Sequence, residues 1–435
     1  MPPKSKINKK RTRKSSKRGE TSSTELCKTE YIISTIKCGD NDSGPSKTEE
    51  DSKPQRNIVN HLDFIQRGGK STCKLHKACR DVLIKNIASL SLYKSESPFD
   101  RRITFIEWHP KHPETLAVAS KGGDILLWNY GTTIYQQLMI RGKGAGGSVQ
   151  AIKFHPQKQM EIYTTAIDGT VCTWNYLNKT CKIFLETNNY DKWYTSLDVC
   201  FSDKHFVAGD NTGQLTMLSL DGEKMFKARL HKSKITHAEY NPRETWLLTT
   251  ASVDRTVKMW DIRFLKGRDS VLTVLHHDQA VNSAYFSLRD SSRLLTTDQH
   301  SQLRVYRAPL WHLETVIQHP HRQFQHLTPI KATWHPLEDV IVVGRYPDKS
   351  FPGYVPGELR TIDFYDAETG AYQYGLTQQG IIGIISLNRF NILGDTLASG
   401  MGFNILIWRP DWANDLKCDL RAQLLDRRHV NKQKQ

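Results

Sequence analysis

From residue 102 onward one unit recurs along the chain, and it leaves few folds open. Each unit starts with a short run that stops at a turn: IEWHP at 106–110, IKFHP at 152–156, AEYNP at 238–242, AYFSL at 284–288, ATWHP at 332–336 and NRFNI at 388–392. A second apolar run follows, such as TLAVAS, WLLTTAS or DVIVVG. A polar turn (KGGD, IDGT, SVDRT or DQHSQ) then leads to a third run that closes on a large side chain. The closing positions are Trp128, Trp174, Leu218, Trp260, Tyr306, Tyr365 and Trp408. Most steps between them are 42–46 residues; the step from Tyr306 to Tyr365 is longer and contains an insertion, RYPDKSFPGYVPGELR.

One small sheet of this kind cannot bury both of its faces, whereas a ring of them buries each against its neighbours and leaves only short edges. The period is that of a WD40 blade. The expected fold is therefore all-β, a seven-bladed WD40 β-propeller over residues 101–412. The third unit, LDVCFSDKHFVAGDNTGQLTMLSL, is degenerate because Leu218 replaces the aromatic, but GDNTG supplies its turn. In the fourth unit, Asp254 and Trp260 match the hydrogen-bonded set of such a blade together with His231 and Ser252, a structural rather than a catalytic assignment.

The flanks differ in kind. Residues 1–60 are rich in Ser, Thr, Lys, Glu and Gly and bury too little apolar surface to offset ordering entropy, so a disordered tail is expected. Residues 61–100 are expected to be helical: in CKLHKACRDVLIKNIASLSLYKS, Leu75, Cys79, Val82, Leu83, Asn86 and Leu90 recur at three- and four-residue steps, and Pro98 ends the segment. Such a helix either packs on its own domain or docks in a partner's groove. Residues 413–435 read as a polar tail.

The formal charge of +16 points to a polyanionic partner. Nine basic side chains and no acid fall within residues 1–18, so the remainder is only mildly basic. A cluster of this type reads as a nuclear address or a nucleic-acid arm. It is followed by no apolar segment, so it is not a secretory signal, and no stretch approaches the length needed to span a bilayer. The eight cysteines (27, 38, 73, 79, 172, 181, 200 and 418) form no Cys-x-x-Cys pair. Neither a zinc site nor a disulfide framework is expected, and a reducing compartment fits. Gly142, Gly144 and Gly147 match G-x-G-x-x-G, but a dinucleotide site needs that motif between a strand and a helix, and here it links two blades. No cofactor, metal, membrane or small-molecule substrate is expected, and the chain is not read as an enzyme.

The segment HPHRQFQHLTP, 319–329, lies between the fifth and sixth units. It is expected to project from one face of the disc with Phe324, Gln325 and His326 at its tip. Apolar wedges flanked by basic residues pry apart stacked bases from the minor groove. Phe324 suits the space left by displaced bases, Gln325 and His326 the unpaired strand, and Arg322 a phosphate. The alternative is that Phe324 packs on the rim and His326 is an ordinary blade histidine.

FDRRITFIEWHP, SKGGDILLWN, KITHAEYNP, ASVDRTVKMWDIR, LLTTDQ, HPHRQFQHLTPIKATWHP, VVGRYPD, ELRTID and GDTLASGMGFNILIW resemble the family of small WD40 subunits of UV-damaged-DNA-binding complexes, over about residues 73–410. The resemblance implies recognition of photolesions in duplex DNA by the Phe324–Gln325–His326 tip, with the damaged dinucleotide flipped out. It implies a DNA face made by Arg102, Lys121, Trp193, Lys234, Arg322, Tyr346 and Arg360. It also implies a nuclear substrate receptor of a cullin–RING ubiquitin ligase, acting in nucleotide excision repair. Its large propeller adaptor would be met by Asp254, Trp260, Asp261 and Arg263 and by the helical segment with Leu75, Cys79, Val82 and Leu83. Histones or chromatin are further candidate partners. The competing reading is a nuclear WD40 scaffold that binds proteins only.

Overall fold

The computed structural model describes residue 66 and residues 72–412, apart from 132–137, 145, 201 and 322–327. Among these residues the strands form seven four-stranded antiparallel sheets, each one blade. Blade 1 is β2 (Ile103–Trp108), β3 (Thr115–Ser120), β4 (Ile125–Asn129) and β5 (Leu138–Ile140). The next blades follow the same order, from β6 (Val149–Phe154) through β25 (Tyr372–Leu376). Blade 7 takes β26 (Ile385–Phe390), β27 (Leu397–Met401) and β28 (Asn404–Pro410) from the end of the array. Its fourth strand is β1 (Leu90–Glu96), from before the first unit.

That last pairing corrects the expectation of helix throughout 73–95. Helix α1 covers Thr72–Ala88 and stops there. Leu90, Leu92 and Ser95 instead pair with Pro410, Trp408 and Leu406. LSLYKSE is half-buried along nearly all of its length, and pairing it with β28 removes an open edge and closes the ring. Leu218, the weak closing residue, is fully buried in β12 (Gln214–Ser219), so blade 3 is complete without an aromatic there.

The histidine or asparagine before each proline has a local task. His109 Nδ1 accepts from the backbone N–H of Lys111 and His112 at 3.1 and 3.0 Å. His155 does the same for Gln157 and Lys158, and Asn241 Oδ1 for Arg243 and Glu244. These side chains hold the turn that ends the innermost strand. Burial pushes His109 down to about 4, so the ring is a neutral acceptor.

In blade 4, His231 Nδ1 lies 3.0 Å from Asp254, His231 Nε2 lies 2.8 Å from Thr250 Oγ1, and Trp260 Nε1 donates to that same hydroxyl at 2.8 Å. The hydroxyl joining histidine to tryptophan is thus Thr250 rather than Ser252. Ser252 lies two residues along on the same face of β15 (Leu247–Ser252), where it accepts from Asp254 N–H and donates to Ser233 O. Trp260 is fully buried. Burial alone raises Asp254, but His231, Thr256 and the Lys232 N–H outweigh it and hold the carboxyl well below its usual range. This confirms a structural role.

Candidate nucleic-acid interface

Six of the seven innermost strands begin with a bulge: the ladder slips between Ile103 and Phe105, Val149 and Ala151, Tyr194 and Ser196, Ile235 and His237, Val281 and Ser283, and Ile385 and Leu387. An extra residue opposite one partner is freed from the ladder and its side chain is re-aimed. Here the extra residues of blades 1 to 5, Thr104, Gln150, Thr195, Thr236 and Asn282, all line one cavity of about 450 Å³ at the channel's end. Lys331, two residues before β22 (Thr333–Trp334) of blade 6, lines it as well.

A second recurring bond completes the rim. The turn after the second strand of a blade donates a backbone N–H to the residue just before the first. Lys121 donates to Arg102 O at 2.8 Å and Val253 to Lys234 O at 3.1 Å; Ile167 to Ser148, Asn211 to Trp193 and Gln299 to Ala280 repeat the pattern. Arg102, Trp193 and Lys234 therefore occupy equivalent positions in blades 1, 3 and 4. Arg102, Lys121, Lys234 and Lys331 line the cavity, and no described aspartate or glutamate does.

The electrostatics follow from that imbalance. Burial lowers Arg102 and Lys234, and burial followed by repulsion from Arg389 and Lys234 pushes Lys331 down to about 7. Arg102 Nε is buried with no hydrogen-bond partner. An unpaired buried donor and crowded cations are costly unless an anion satisfies them. Sequence reasoning missed Lys331: it precedes its strand by two residues, and no spacing in the sequence marks it.

The loop at 319–329 is anchored at both ends. His319 and His321 are fully buried, 3.3 Å from Asp363 and 3.4 Å from Asp298 respectively. Pro320 O accepts from Tyr346 N–H at 2.9 Å. At the other end, Thr328 donates to Ile103 O at 2.6 Å, and Thr328 and Pro329 line the cavity. Two of the loop's three histidines are thus framework. Arg322, Phe324, Gln325 and His326 lie outside the described residues. Tyr346 and Arg360 meet in blade 6, with the guanidinium 5.9 Å from the ring centroid and Arg360 also bonded to Ile382 O. Neither is among the residues that line the cavity.

Asp261, the last residue of β16 (Thr256–Asp261), and Arg263 sit at the other end of blade 4. Asp261 is buried; its carboxylate accepts from Arg263 Nε and Nη2 at 2.9 and 2.7 Å. The exposed guanidinium lies 4.5 Å from the Trp246 ring centroid, beside exposed Phe264. Helix α1 packs on its own propeller through Ala78, Leu83, Ile84 and Ile87. Arg80 pairs with Asp366 at 2.7 Å. The face read from the sequence is therefore rotated: Leu83 is half-buried on the blades, Cys79 is half-buried, and Val82 is exposed. The side chain of Leu75 lies outside the description. Among the described residues, Cys200, Asp203 and His205 bring potential metal-ligand atoms within 4.8 Å of one another, at the end of blade 3 away from the cavity. Spacing alone did not suggest that trio.

The model of the WD domain, G-beta repeat, matches residues 222–261, the end of blade 3 and most of blade 4. DNA damage-binding protein 2 of Gallus gallus is 48% identical over 364 residues, covering 82% of this chain and 72% of the relative. DNA damage-binding protein 2 of Bos taurus is 45% identical, covering 83% and 84%. Protein DAMAGED DNA-BINDING 2 of Arabidopsis thaliana is 31% identical, covering 71% and 58%. With this similarity running through a seven-bladed propeller, the chain belongs to the DNA damage-binding protein 2 family.

Proposed function

We propose that the cationic end of this propeller recognises photolesions and related distortions in duplex DNA. The observation that carries the reading is the cavity, with four cations and no described acid, set at the root of the 319–329 loop. Phosphates satisfy Arg102, Lys121, Lys234 and Lys331 without regard to sequence. The loop tip, Phe324, Gln325 and His326, enters at the lesion while the damaged bases flip out. Selectivity comes from deformation: unstacking costs a few kcal/mol in sound duplex and less where damage has already weakened stacking. The names of the relatives support a role in damage recognition. The fold contributes binding surfaces rather than chemistry, so the chain acts as a non-catalytic recognition subunit.

On this reading the opposite end and α1 serve a cullin–RING ubiquitin ligase. Arg263 and Phe264 with exposed Val82 meet the large propeller adaptor, while Trp260 and Asp261 hold that surface in shape; Asp254 lies at the cavity end beside Val253 and ties the blade together through His231 rather than meeting the adaptor. The complex works in the nucleus and starts nucleotide excision repair, with histones or chromatin nearby. The deciding experiment replaces Phe324, Gln325 and His326 by alanine and compares lesion-bearing with intact duplex. Discrimination is expected to fall while weak general binding stays; unchanged discrimination overturns the wedge. Removing residues 1–60 separates this reading from a protein-only scaffold, since loss of all DNA binding would place the DNA on the tail. Arg263→Ala is expected to weaken adaptor association without unfolding the blade, and intact co-purification would count against that surface.

A further inference from the structure

Cys172 and Cys181 are nine positions apart, a spacing that signals nothing in the sequence. The fold brings them together. Cys172 lies in β8 (Val171–Asn175) and Cys181 in β9 (Thr180–Leu185), the outermost strand of blade 2. The ladder pairs Cys172 with Ile183 and Trp174 with Cys181, so the two cysteines are diagonal neighbours on one face. Each thiol is near enough to shift the titration of the other. Cys172 is buried, with Thr164 Oγ1 at 3.2 Å, whereas Cys181 is exposed. Both line a cavity of about 260 Å³ together with Lys143, Asp168 and Trp174. Lys143 is held there by Asp168 at 2.9 Å.

The pair is asymmetric. The neighbouring Cys172 thiol, then the Lys143 ammonium, pull Cys181 down, while the Cys181 thiol and burial push Cys172 up. An exposed sulfur with thiolate character beside a protonated buried one is the arrangement of an attacking and a resolving cysteine. We propose that Cys181 is a hydroperoxide-reactive thiol and that Cys172 resolves it, forming a reversible disulfide inside blade 2. The Cys181 thiolate attacks a peroxide oxygen; the S–O bond forms and the O–O bond breaks. Sulfur is oxidised by two electrons, and the departing oxygen is reduced to the hydroxide or alcohol level. Cys172 sulfur then attacks the sulfenic sulfur. The S–S bond forms, the S–O bond breaks, and hydroxide leaves with the Cys172 proton as water. A diagonal pair is wider than a disulfide favours, so closure needs backbone movement. β9 is free to supply it, because it pairs on one side only and exposes Thr180 to Ile183.

The test uses the full chain, reduced and desalted, then treated with a few equivalents of hydrogen peroxide and blocked with N-ethylmaleimide. Trypsin cuts after Lys179 and separates the two cysteines unless they are bridged. A Cys172–Cys181 linked peptide is expected, abolished by dithiothreitol. Its formation should be roughly tenfold faster in the folded chain than in urea. Cys172→Ser, or Cys172→Ala should the serine variant not fold, is expected to leave a dimedone-reactive sulfenic acid on Cys181. Recovery of the two cysteines singly alkylated, bridges to other cysteines instead, or equal rates in urea would overturn the proposal.

Discussion

The two levels of the central channel are built by the same strands and differ in how charge is settled. The mouth is lined by the bulged residues and the rim. Three residues further along the same strands lie Glu107, Lys153, Asp198, Glu239 and Arg389. There Lys153 reaches Asp198 at 3.1 Å and Glu107 at 3.6 Å, and Arg389 reaches Glu107 at 2.7 Å. Burial alone lowers Lys153, but Asp198 and Glu107 outweigh it, and the ammonium stays charged. Glu239, pushed up to about 8 by burial, accepts from Phe286 N–H at 2.8 Å. The deeper level satisfies its charges from within and so joins the blades. Among the described residues no carboxylate lines the mouth beside its cations, an imbalance a fold tolerates where function requires it. Equally buried lysines, 153 and 331, thus titrate in opposite directions because only one has carboxylates beside it.

The sharpest test of this contrast is Lys153→Met. It strands Asp198, and breaking a buried pair costs about 3–5 kcal/mol. A fall of roughly 10 °C in melting temperature is expected in calorimetry; no change would mean that the deeper level joins nothing. Lys234→Glu at the mouth should leave the melting temperature nearly unchanged. It should weaken binding to damaged and intact duplex alike and reduce the salt slope by about one to two, as one phosphate contact is lost and a like charge added. An unchanged slope would place Lys234 off the DNA path.

Lys331→Met removes a cation that lies 5.7 Å from the Phe105 ring centroid with no carboxylate beside it among the described residues, so stability should change little while affinity falls roughly tenfold. The same residue sets a pH dependence. Its free pKa is about 7, and a bound phosphate raises it, so binding above pH 7 takes up a proton. Affinity at fixed salt is expected to fall as pH rises from 7 to 9, toward the level of Lys331→Met, and to stay flat in Lys331→Arg. A flat wild-type profile would remove Lys331 from the interface. Glu239→Gln should act least. A carboxyl whose folded pKa lies above its unfolded value contributes stability at low pH that is lost as pH rises from about 4.5 through about 8. The amide should flatten that decline in melting temperature; a steeper one would show that the carboxylate is the stabilising form.

Much of the fold is legible in the chain because blade structure is local. The turn-holding histidines, the closing aromatics and the 42–46-residue step each act within one hairpin or between neighbouring strands. Arg102, Lys121 and Lys234, expected through family resemblance, line one cavity, and Arg263, expected at the surface, is exposed. Other features were not legible. β1 joins residues about 315 positions away in sequence. Lys331, His319 and His321 look alike as polar residues in one segment, yet one faces the cavity and two are buried.

The sequence by itself determined the number of blades and the excess of positive charge, since periodicity and composition need no partner. Tertiary structure alone decided which charges are paired and which cysteines touch. It also decided that α1 turns Leu83 inward and Val82 outward. Those outcomes depend on distances between blades, and pairing or desolvation changes steeply with distance while the spacing of letters along a chain does not record it.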